Sequence, residues 1–217
     1  KTYRMSSDLT DAKAEDQDPA NLLLHRMNLR RLEGEVIRDS ILKVAGTLNE
    51  ERFGPSVPSY LSPFMGGQRR PGISGPIDGD GRRSIYQEIR RNYLSSMLLS
   101  FDMPTPDTTI GKRTQSNIPQ QALILMNDPF VVEQAKLWGE TVVARETIQN
   151  FEQRIQYLFR RALGRDAEAA EVERMQQFLA AQRDVYELDE DAARDDVRLW
   201  SDMCHVMFTL KGFIYVS

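Results

Sequence analysis

The side chains best suited to catalysis or metal binding are scarce in this sequence. His25 and His205 are its imidazoles, and Cys204 is its single thiol. Their spacing matches neither a zinc-binding pair nor a CxxCH haem attachment site. Cys204 and His205 are adjacent, and neighbours on a helix point about 100° apart, so they cannot act together as thiolate and base. We therefore predict no metal site, and neither haem nor another cofactor, within this chain.

Motifs for nucleotide binding and for serine hydrolysis are also missing. The sequence contains no P-loop, no GxGxxG element and no GxSxG elbow. Carboxylates are plentiful, but a glycosidase pair is defined by a separation in space that the sequence does not supply. No catalytic residue can therefore be assigned from the sequence.

Arginine is the preferred basic residue, and its forked guanidinium suits bonds to carboxylates and carbonyl oxygens. Of the 28 basic residues, 22 are Arg. Arg38 and Asp39 stand in a charged helical stretch that has two interpretations. The first is a solvated ladder of weak pairs. The second is that the segment after the Gly-rich loop holds them, through Arg82 or Arg83.

The arginines after that loop leave two alternatives of their own. Arg82 and Arg83, together with Arg113, either recognise an anionic ligand or stitch the loop to Glu35, Asp39 or helix C-terminal carbonyls. Stitching is the favoured interpretation. The candidate binding residues are therefore Arg38, Asp39, Arg82, Arg83 and Arg113.

The stretch Asn28–Leu48 has the strongest helical periodicity in the first half of the chain. Its apolar residues fall in one sector of a helical wheel, which predicts a buried face. Gly34 interrupts the helix and indicates the close approach of another backbone. The sector comprises Leu29, Leu32, Val36, Ile37, Val44 and Leu48.

The segments on either side of this helix are expected to be irregular. Residues 1–20 are interpreted as an extended arm ending at Asp18-Pro19, a cap and first-turn pair that starts the helical region. Residues 49–81 form a long loop rich in Gly and Pro, of a length typical of functional or disordered segments. We expect the loop to be ordered by packing, because it contains large apolar residues. These are Tyr60, Leu61, Phe64 and Met65.

Two short strands are predicted in an otherwise helical chain. Residues 84–89 (SIYQEI) have the composition of a strand, with a helix as the alternative, and residues 213–216 (FIYV) are a second strand that would pair with them. Pro119 and Asp128-Pro129 begin two further helices. Three amphipathic stripes between 147 and 210 predict a C-terminal helical bundle, its first helix ending at Gly164. The predicted fold is mainly α, a helical bundle with one long Gly/Pro-rich loop and one or two short strands.

Composition and charge restrict the class of protein. The chain has 217 residues, 41% of them hydrophobic, and a net charge of −4, enough for a single domain over 1–217 with a real core. An acidic chain with mostly paired arginines lacks a nucleic-acid footprint. No apolar run is long enough to cross a bilayer. A chain that starts with Lys in mid-pattern is expected to be a fragment of a larger protein.

The arrangement of these stretches resembles the C-terminal domain of unknown function found in large secreted proteins of planctomycete bacteria that also carry a cytochrome-c-type domain. The resemblance extends over nearly the whole chain. Leu29 stands where another Arg is expected, and Gly34 where Ala is usual. The stretches that carry the resemblance are TYRMSS, DPANLLLHRMNLRRLEGEVIRDSIL, VAGTL, GPSV, RRSIYQEIRRN, FDMP, RTQSNIPQQALILMNDPFVVEQA, FRRALGR and FIYV.

The resemblance implies an extracytoplasmic module, periplasmic or secreted, fused to upstream domains of which one carries haem. Its leading functional interpretation is a non-catalytic helical module that packs against those domains. The alternative is part of an enzyme that handles polysaccharides, with carbohydrate as a partner and a site completed by the upstream domain. Neither interpretation involves nucleic acid or a membrane span.

Overall fold

The structure is a computed structural model that describes residues 5–7, 11–63, 65, 71–145, 147–148 and 150–216. Within these ranges, about 51% of the chain is helical, and the predicted mainly-α fold is confirmed. The helices are α1 (Ala12–Gln17), α2 (Gly34–Ala45), α3 (Ser96–Ser100), α4 (Pro119–Asn127), α5 (Pro129–Val143), α6 (Phe151–Leu163), α7 (Ala169–Val185), α8 (Glu190–Asp195), α9 (Val197–Thr209) and α10 (Lys211–Ile214). The strands are β1 (Arg30–Arg31) and β2 (Tyr215–Val216).

The predicted C-terminal strand exists, but its partner was predicted wrongly. β2 pairs antiparallel with β1, with Arg30 opposite Val216 and Arg31 opposite Tyr215. Residues 213 and 214 belong to α10 instead. The sheet therefore joins the segment just before α2 to the C-terminal end of the described chain, a pairing with no local signal in the sequence.

Helix α2 is shorter than the predicted 28–48 helix, because residues 30–31 are used in β1. Its buried face also differs from the predicted sector: Leu29 and Val36 are exposed, whereas Ile41 and Leu42 are fully buried. Gly34 is the first helical residue, and a Cβ there would lie 3.0 Å from Cβ of Phe101. The close approach predicted from this glycine is confirmed.

The strand predicted at residues 84–89 was wrong. Ser84–Tyr86 form a single 3-10 turn. Gln87 makes an isolated parallel bridge to Val57, and Arg82 makes another to Asn49. Extended pairing is thus limited to single residues on either side of the turn, which fastens this segment to the loop rather than to β2.

The N-terminal region also departs from the expected arm and cap. Residues 12–17 form α1, which begins at the cap Asp11. Asp18 does not start a helix, because its carboxylate instead accepts hydrogen bonds from the backbone N–H groups of Leu22 and Leu23. Residues 1–4 and 8–10 of the predicted arm lie outside the described ranges.

The core is organised around α5 and α9, which cross closely. Gly139 of α5 lies against Ser201 of α9, and a Cβ there would be 2.8 Å from Cα of Ser201. Trp138 stacks on Phe208 with ring centroids 5.3 Å apart. Helices α2, α4, α6 and α7 pack around this pair.

Several helix ends lie where the sequence placed them. Pro119 begins α4, and Asp128 caps α5 by accepting from the N–H of Phe130. Gly164 ends α6 in the left-handed region at φ +70°. These ends are set by local chemistry, which explains why the sequence was sufficient.

Part of the long loop packs on the domain, as predicted, although Phe53 and Ile73 within it are exposed. Val57 and Leu61 are buried, and Val57 exchanges backbone hydrogen bonds with Tyr86 and Glu88. Tyr60 is partly exposed. Phe64 and residues 66–70 lie outside the described ranges. The division of the chain at residues 20, 49, 81 and 147 stays a prediction.

Two features are not found among the residues that the structure describes. None of their helices is both long and apolar enough to span a membrane. No group of three or more His, Cys, Asp or Glu side chains among them is placed to hold a metal ion.

Candidate functional site

Arg38 is the most completely engaged of the predicted site residues. It projects from α2, is buried, and donates from Nη1 to the carbonyl oxygen of Arg82 at 2.9 Å. Nη2 donates to the carbonyl oxygen of Asp78. Its guanidinium also lies over the ring of Phe130, 5.4 Å from the centroid. Burial lowers the pKa of Arg38, while Asp39 opposes that shift. Arg38 thus ties the end of the loop to α2.

Asp39 is held by the same segment, but through a residue that the sequence did not single out. The backbone N–H and the hydroxyl of Ser84 both donate to Oδ1 of Asp39, each at 2.7 Å. Arg83 approaches Oδ2 at 3.6 Å, and Arg38 approaches Oδ1 at 3.4 Å. The interpretation that a second segment holds this pair is confirmed, with Ser84 rather than Arg82 or Arg83 as the main partner of Asp39.

Arg82 faces away from α2. It is buried, and its guanidinium donates to the carbonyl oxygens of Pro55, at 2.9 Å, and of Phe53. The group stacks on the ring of Tyr86, 4.0 Å from the centroid. Arg82 therefore fastens the segment after the loop to carbonyl oxygens within the loop, and not to Glu35, Asp39 or a helix C-terminus as the favoured interpretation expected.

Arg113 and Arg83 differ in how tightly they are paired and in how exposed they are. Arg113 bridges two carboxylates of the α2 region, with Nη1 2.6 Å from Glu33 and Nη2 2.5 Å from Glu35. The hydrogen bond that Arg113 donates to Glu35 is the main cause of the raised pKa of Arg113, although burial opposes it. Arg83 keeps more than half of its side chain exposed. Arg83 is thus the guanidinium of the predicted set with the most room for a ligand.

A cleft of about 720 Å³ lies beside α2 and collects four of the five predicted residues. Its lining includes Arg38, Asp39, Arg83 and Arg113, whereas Arg82 is not part of it. The walls come from α2, residues 59, 60, 62, 63 and 65 of the loop, the segment 83–98 and the start of α5. Whether these residues bind a ligand stays a prediction.

Most of the open surface of the cleft is apolar. Ile85 and Ile89 are 77% and 62% exposed, and Val36 and Tyr60 are also partly open to solvent. Sequence reasoning treated 85–89 as a strand or helix and so missed that both isoleucines line a site. Their spacing of four was a visible signal, but it gave no indication that either would be left uncovered.

Asp128 also lines the cleft, together with the carboxylates of Asp39, Glu33, Glu35 and Glu88. Burial raises its pKa, and the hydrogen bond from the N–H of Phe130 only partly offsets this. The sequence identified Asp128 as a helix cap, which it is. Its place in the cleft depends on the packing of α5 against α2.

The histidines and the cysteine are used in structural contacts. Cys204 is fully buried in α9, and burial raises the pKa of its thiol well above the usual range. His205 contacts the carbonyl oxygen of Leu125 at 2.9 Å, and His25 lies 3.4 Å from Glu15. None of the three lines the cleft.

Comparison with known proteins gives a family but no activity. No curated protein and no solved structure matches the chain. A family model described as PSD1, protein of unknown function (DUF1553), matches residues 1–179. Because this match covers most of the 217 residues, the chain belongs to the PSD1 family of proteins of unknown function (DUF1553).

Proposed function

We propose that this chain is a non-catalytic helical module that packs against the preceding domains of a larger extracytoplasmic protein, with the cleft as its contact surface. The observation that carries the proposal is the difference between the charged and the apolar side chains of the cleft. Arg38, Asp39 and Arg113 are paired inside the chain, whereas Ile85 and Ile89 are open to solvent.

The paired groups have little binding capacity left. Arg38 donates to two carbonyl oxygens, and Arg113 is held by two carboxylates. Asp39 accepts two short hydrogen bonds from Ser84. A polar substrate would have to break these bonds, each stabilising a partly desolvated charge, before it could form its own.

The apolar groups, in contrast, gain from being covered. Ile85 and Ile89 are the most exposed large apolar side chains that line the cleft. A protein segment that covers them would therefore remove their apolar surface from water. Burying one such side chain contributes roughly 1.5–3 kcal/mol. Exposed apolar patches with a polar rim are typical of protein–protein contacts.

The wider context of the proposal comes from the sequence resemblance. On this basis, the proposed context is a secreted or periplasmic protein of a planctomycete, with upstream domains of which one carries a cytochrome-c-type haem. The family match supports the comparison with a domain of unknown function, and the remaining features are part of the proposal.

The test compares the larger protein with variants of the cleft. We expect Ile85→Asp combined with Ile89→Asp to release the module, which increases the radius of gyration in small-angle X-ray scattering. The isolated chain should keep its thermal unfolding midpoint, because both side chains are exposed. Ile73→Asp is the matched control, since Ile73 is 70% exposed and does not line the cleft.

Two results contradict the proposal. In one, the wild-type larger protein is already extended, so no docking exists. In the other, the double variant is as compact as the Ile73 control, so docking does not use the cleft.

A second candidate is an enzyme site for polysaccharides, completed by the upstream domain. The observation in its favour is that Asp39 and Asp128 both line the cleft, and burial raises the pKa of Asp128. Glycoside hydrolysis uses a pair of carboxyl groups, one of which has a raised pKa. If the larger protein cleaves a polysaccharide and Asp128→Asn abolishes cleavage without releasing the module, the enzyme interpretation replaces the first.

A further inference from the structure

The turn after α1 exposes an unusual run of leucines. Leu22 and Leu23 are 82% and 83% exposed, and Leu24 and Leu29 are each nearly half exposed. We call residues 18–29 the leucine turn. Four exposed leucines within residues 18–29 are left uncovered by the rest of the fold, which is typical of an interaction site.

Two buried polar side chains hold the leucine turn in shape. Both carboxylate oxygens of Asp18 accept hydrogen bonds, from the N–H of Leu22 at 2.8 Å and of Leu23 at 2.7 Å. These two backbone bonds, with burial opposing them, lower the pKa of Asp18. Asn21 is also buried and donates to Asn28 at 2.8 Å, which closes the turn. The polar groups are directed inward, and the leucine side chains are left outside.

The backbone of the turn adopts conformations that non-glycine residues rarely use. Asn21 has φ +51° and Leu24 has φ +56°. A leucine in the left-handed region costs on the order of 1 kcal/mol. The chain therefore accepts strain at Leu24 to keep a rigid turn, and rigid apolar groups bind at a lower entropic cost than flexible ones.

The size of the patch matches what a symmetric dimer needs. The four leucines expose on the order of 500 Å² per molecule, so a two-fold contact would bury about 1,000 Å², the lower limit for a specific interface. Residues 11–31 carry four acidic and four basic side chains, a net charge of zero with His25 neutral. Two copies of this surface can therefore meet without net repulsion, as an isologous contact requires.

We propose that the leucine turn is a self-association surface, through which two copies of this chain pack about a two-fold axis. An anionic membrane surface is disfavoured, because residues 11–31 carry no net positive charge to attract it. This contact uses a surface separate from the cleft, so it can hold or fail independently of the proposed packing against other domains.

Sedimentation of the chain over a range of concentrations tests the proposal. We expect a monomer–dimer equilibrium with a dissociation constant on the order of 10–100 µM. Leu22→Ser combined with Leu23→Ser should weaken it at least tenfold without lowering the thermal midpoint of the monomer. Leu123→Ser with Met126→Ser on α4 is the matched control, since these residues are 56% and 54% exposed.

A thiol placed in the turn tests the symmetry directly. Because the chain's single cysteine is fully buried, Leu22→Cys adds the one accessible thiol, and we expect oxidation to give a disulfide-linked dimer. Leu123→Cys should stay monomeric. A wild-type chain that is monomeric up to about 1 mM overturns the proposal. So does a dimer unaffected by the Leu22/Leu23 variant, or leucine-dependent binding to vesicles by a monomer.

Discussion

At the scale of the residue, Asp39 depends on a partner that is 45 positions away in the sequence. It receives the N–H and the hydroxyl of Ser84 and lies against Arg38, which is almost fully buried. Removal of the carboxylate would leave a buried guanidinium without its counter-charge and two donors without an acceptor. An exposed ladder would suffer none of these losses.

We therefore expect Asp39→Ala to lower the free energy of unfolding by about 2–4 kcal/mol. Urea denaturation followed by circular dichroism measures this change. Glu50→Ala is the control, because the pair of Glu50 with Lys43 is largely exposed and its loss should leave the midpoint unchanged. If Asp39→Ala lowers the free energy of unfolding no more than Glu50→Ala does, the contacts of Asp39 do not stabilise the fold.

Asp102 gives the chain a pH-dependent contact. Burial raises its pKa, but the N–H of Ser116, the guanidinium of Arg31 and the hydroxyl of Ser116 together outweigh burial, and the net pKa is lowered. A carboxyl with a lowered folded-state pKa contributes stability above its unfolded value, near pH 4, and loses it as pH falls through the folded value.

The stability lost between about pH 4 and pH 2 should therefore be smaller in Asp102→Asn than in the wild type, since the variant has no carboxyl there to protonate. The measurement is the thermal unfolding midpoint of both proteins across this pH range. Identical pH profiles for the two proteins would show that Asp102 is not ionised differently in the folded and unfolded states.

At the scale of the element, the crossing of α5 and α9 is set by one missing side chain. An added Cβ on Gly139 would lie 2.5 Å from Oγ, 2.7 Å from N and 2.8 Å from Cα of Ser201. The last two atoms are backbone and cannot move without shifting α9. Because α9 carries much of the core, such a shift would disturb packing throughout it.

Gly139→Ala should accordingly destabilise the chain by about 1–3 kcal/mol, although alanine is the better helix former. Gly111→Ala is a suitable control, because nothing lies within 4 Å of its added Cβ and its φ is not positive. Differential scanning calorimetry of both variants measures the effect. A stabilised Gly139→Ala protein would mean that the helices separate at little cost.

At the scale of the whole molecule, the charge is unevenly distributed. Residues 21–113 carry 14 basic and 10 acidic groups, whereas residues 166–202 carry 4 basic and 12 acidic groups. Several basic groups of residues 21–113 form bonds within the chain, such as those of Arg38, Arg82 and Arg113. The acidic set lies largely on α7, α8 and the start of α9.

The purified chain is expected to bind neither haem nor zinc. Its two histidines and one cysteine lack motif spacing, and Cys204 is buried with a raised thiol pKa. An absorption spectrum and elemental analysis are the measurements. A Soret band or one equivalent of zinc would contradict the expectation.

The sequence by itself determined the mainly helical class and those helix ends that depend on local chemistry. These helix ends depend on backbone preferences and on nearby N–H groups, so no distant contact is needed to fix them. They lie at Pro119, Asp128-Pro129 and Gly164. It also indicated that Arg38 and Asp39 would be held by the segment after the loop.

Only the tertiary structure decided the partners of these residues and which apolar side chains stay uncovered. Ser84 reaches Asp39, and β1 pairs with β2, across separations for which local patterns contain no signal. Periodicity assigns Leu29 and Val36 to the core, yet both are exposed, as are Ile85 and Ile89. The reason is physical: periodicity reports which residues can face a neighbour, whereas burial depends on whether folding brings a neighbour there.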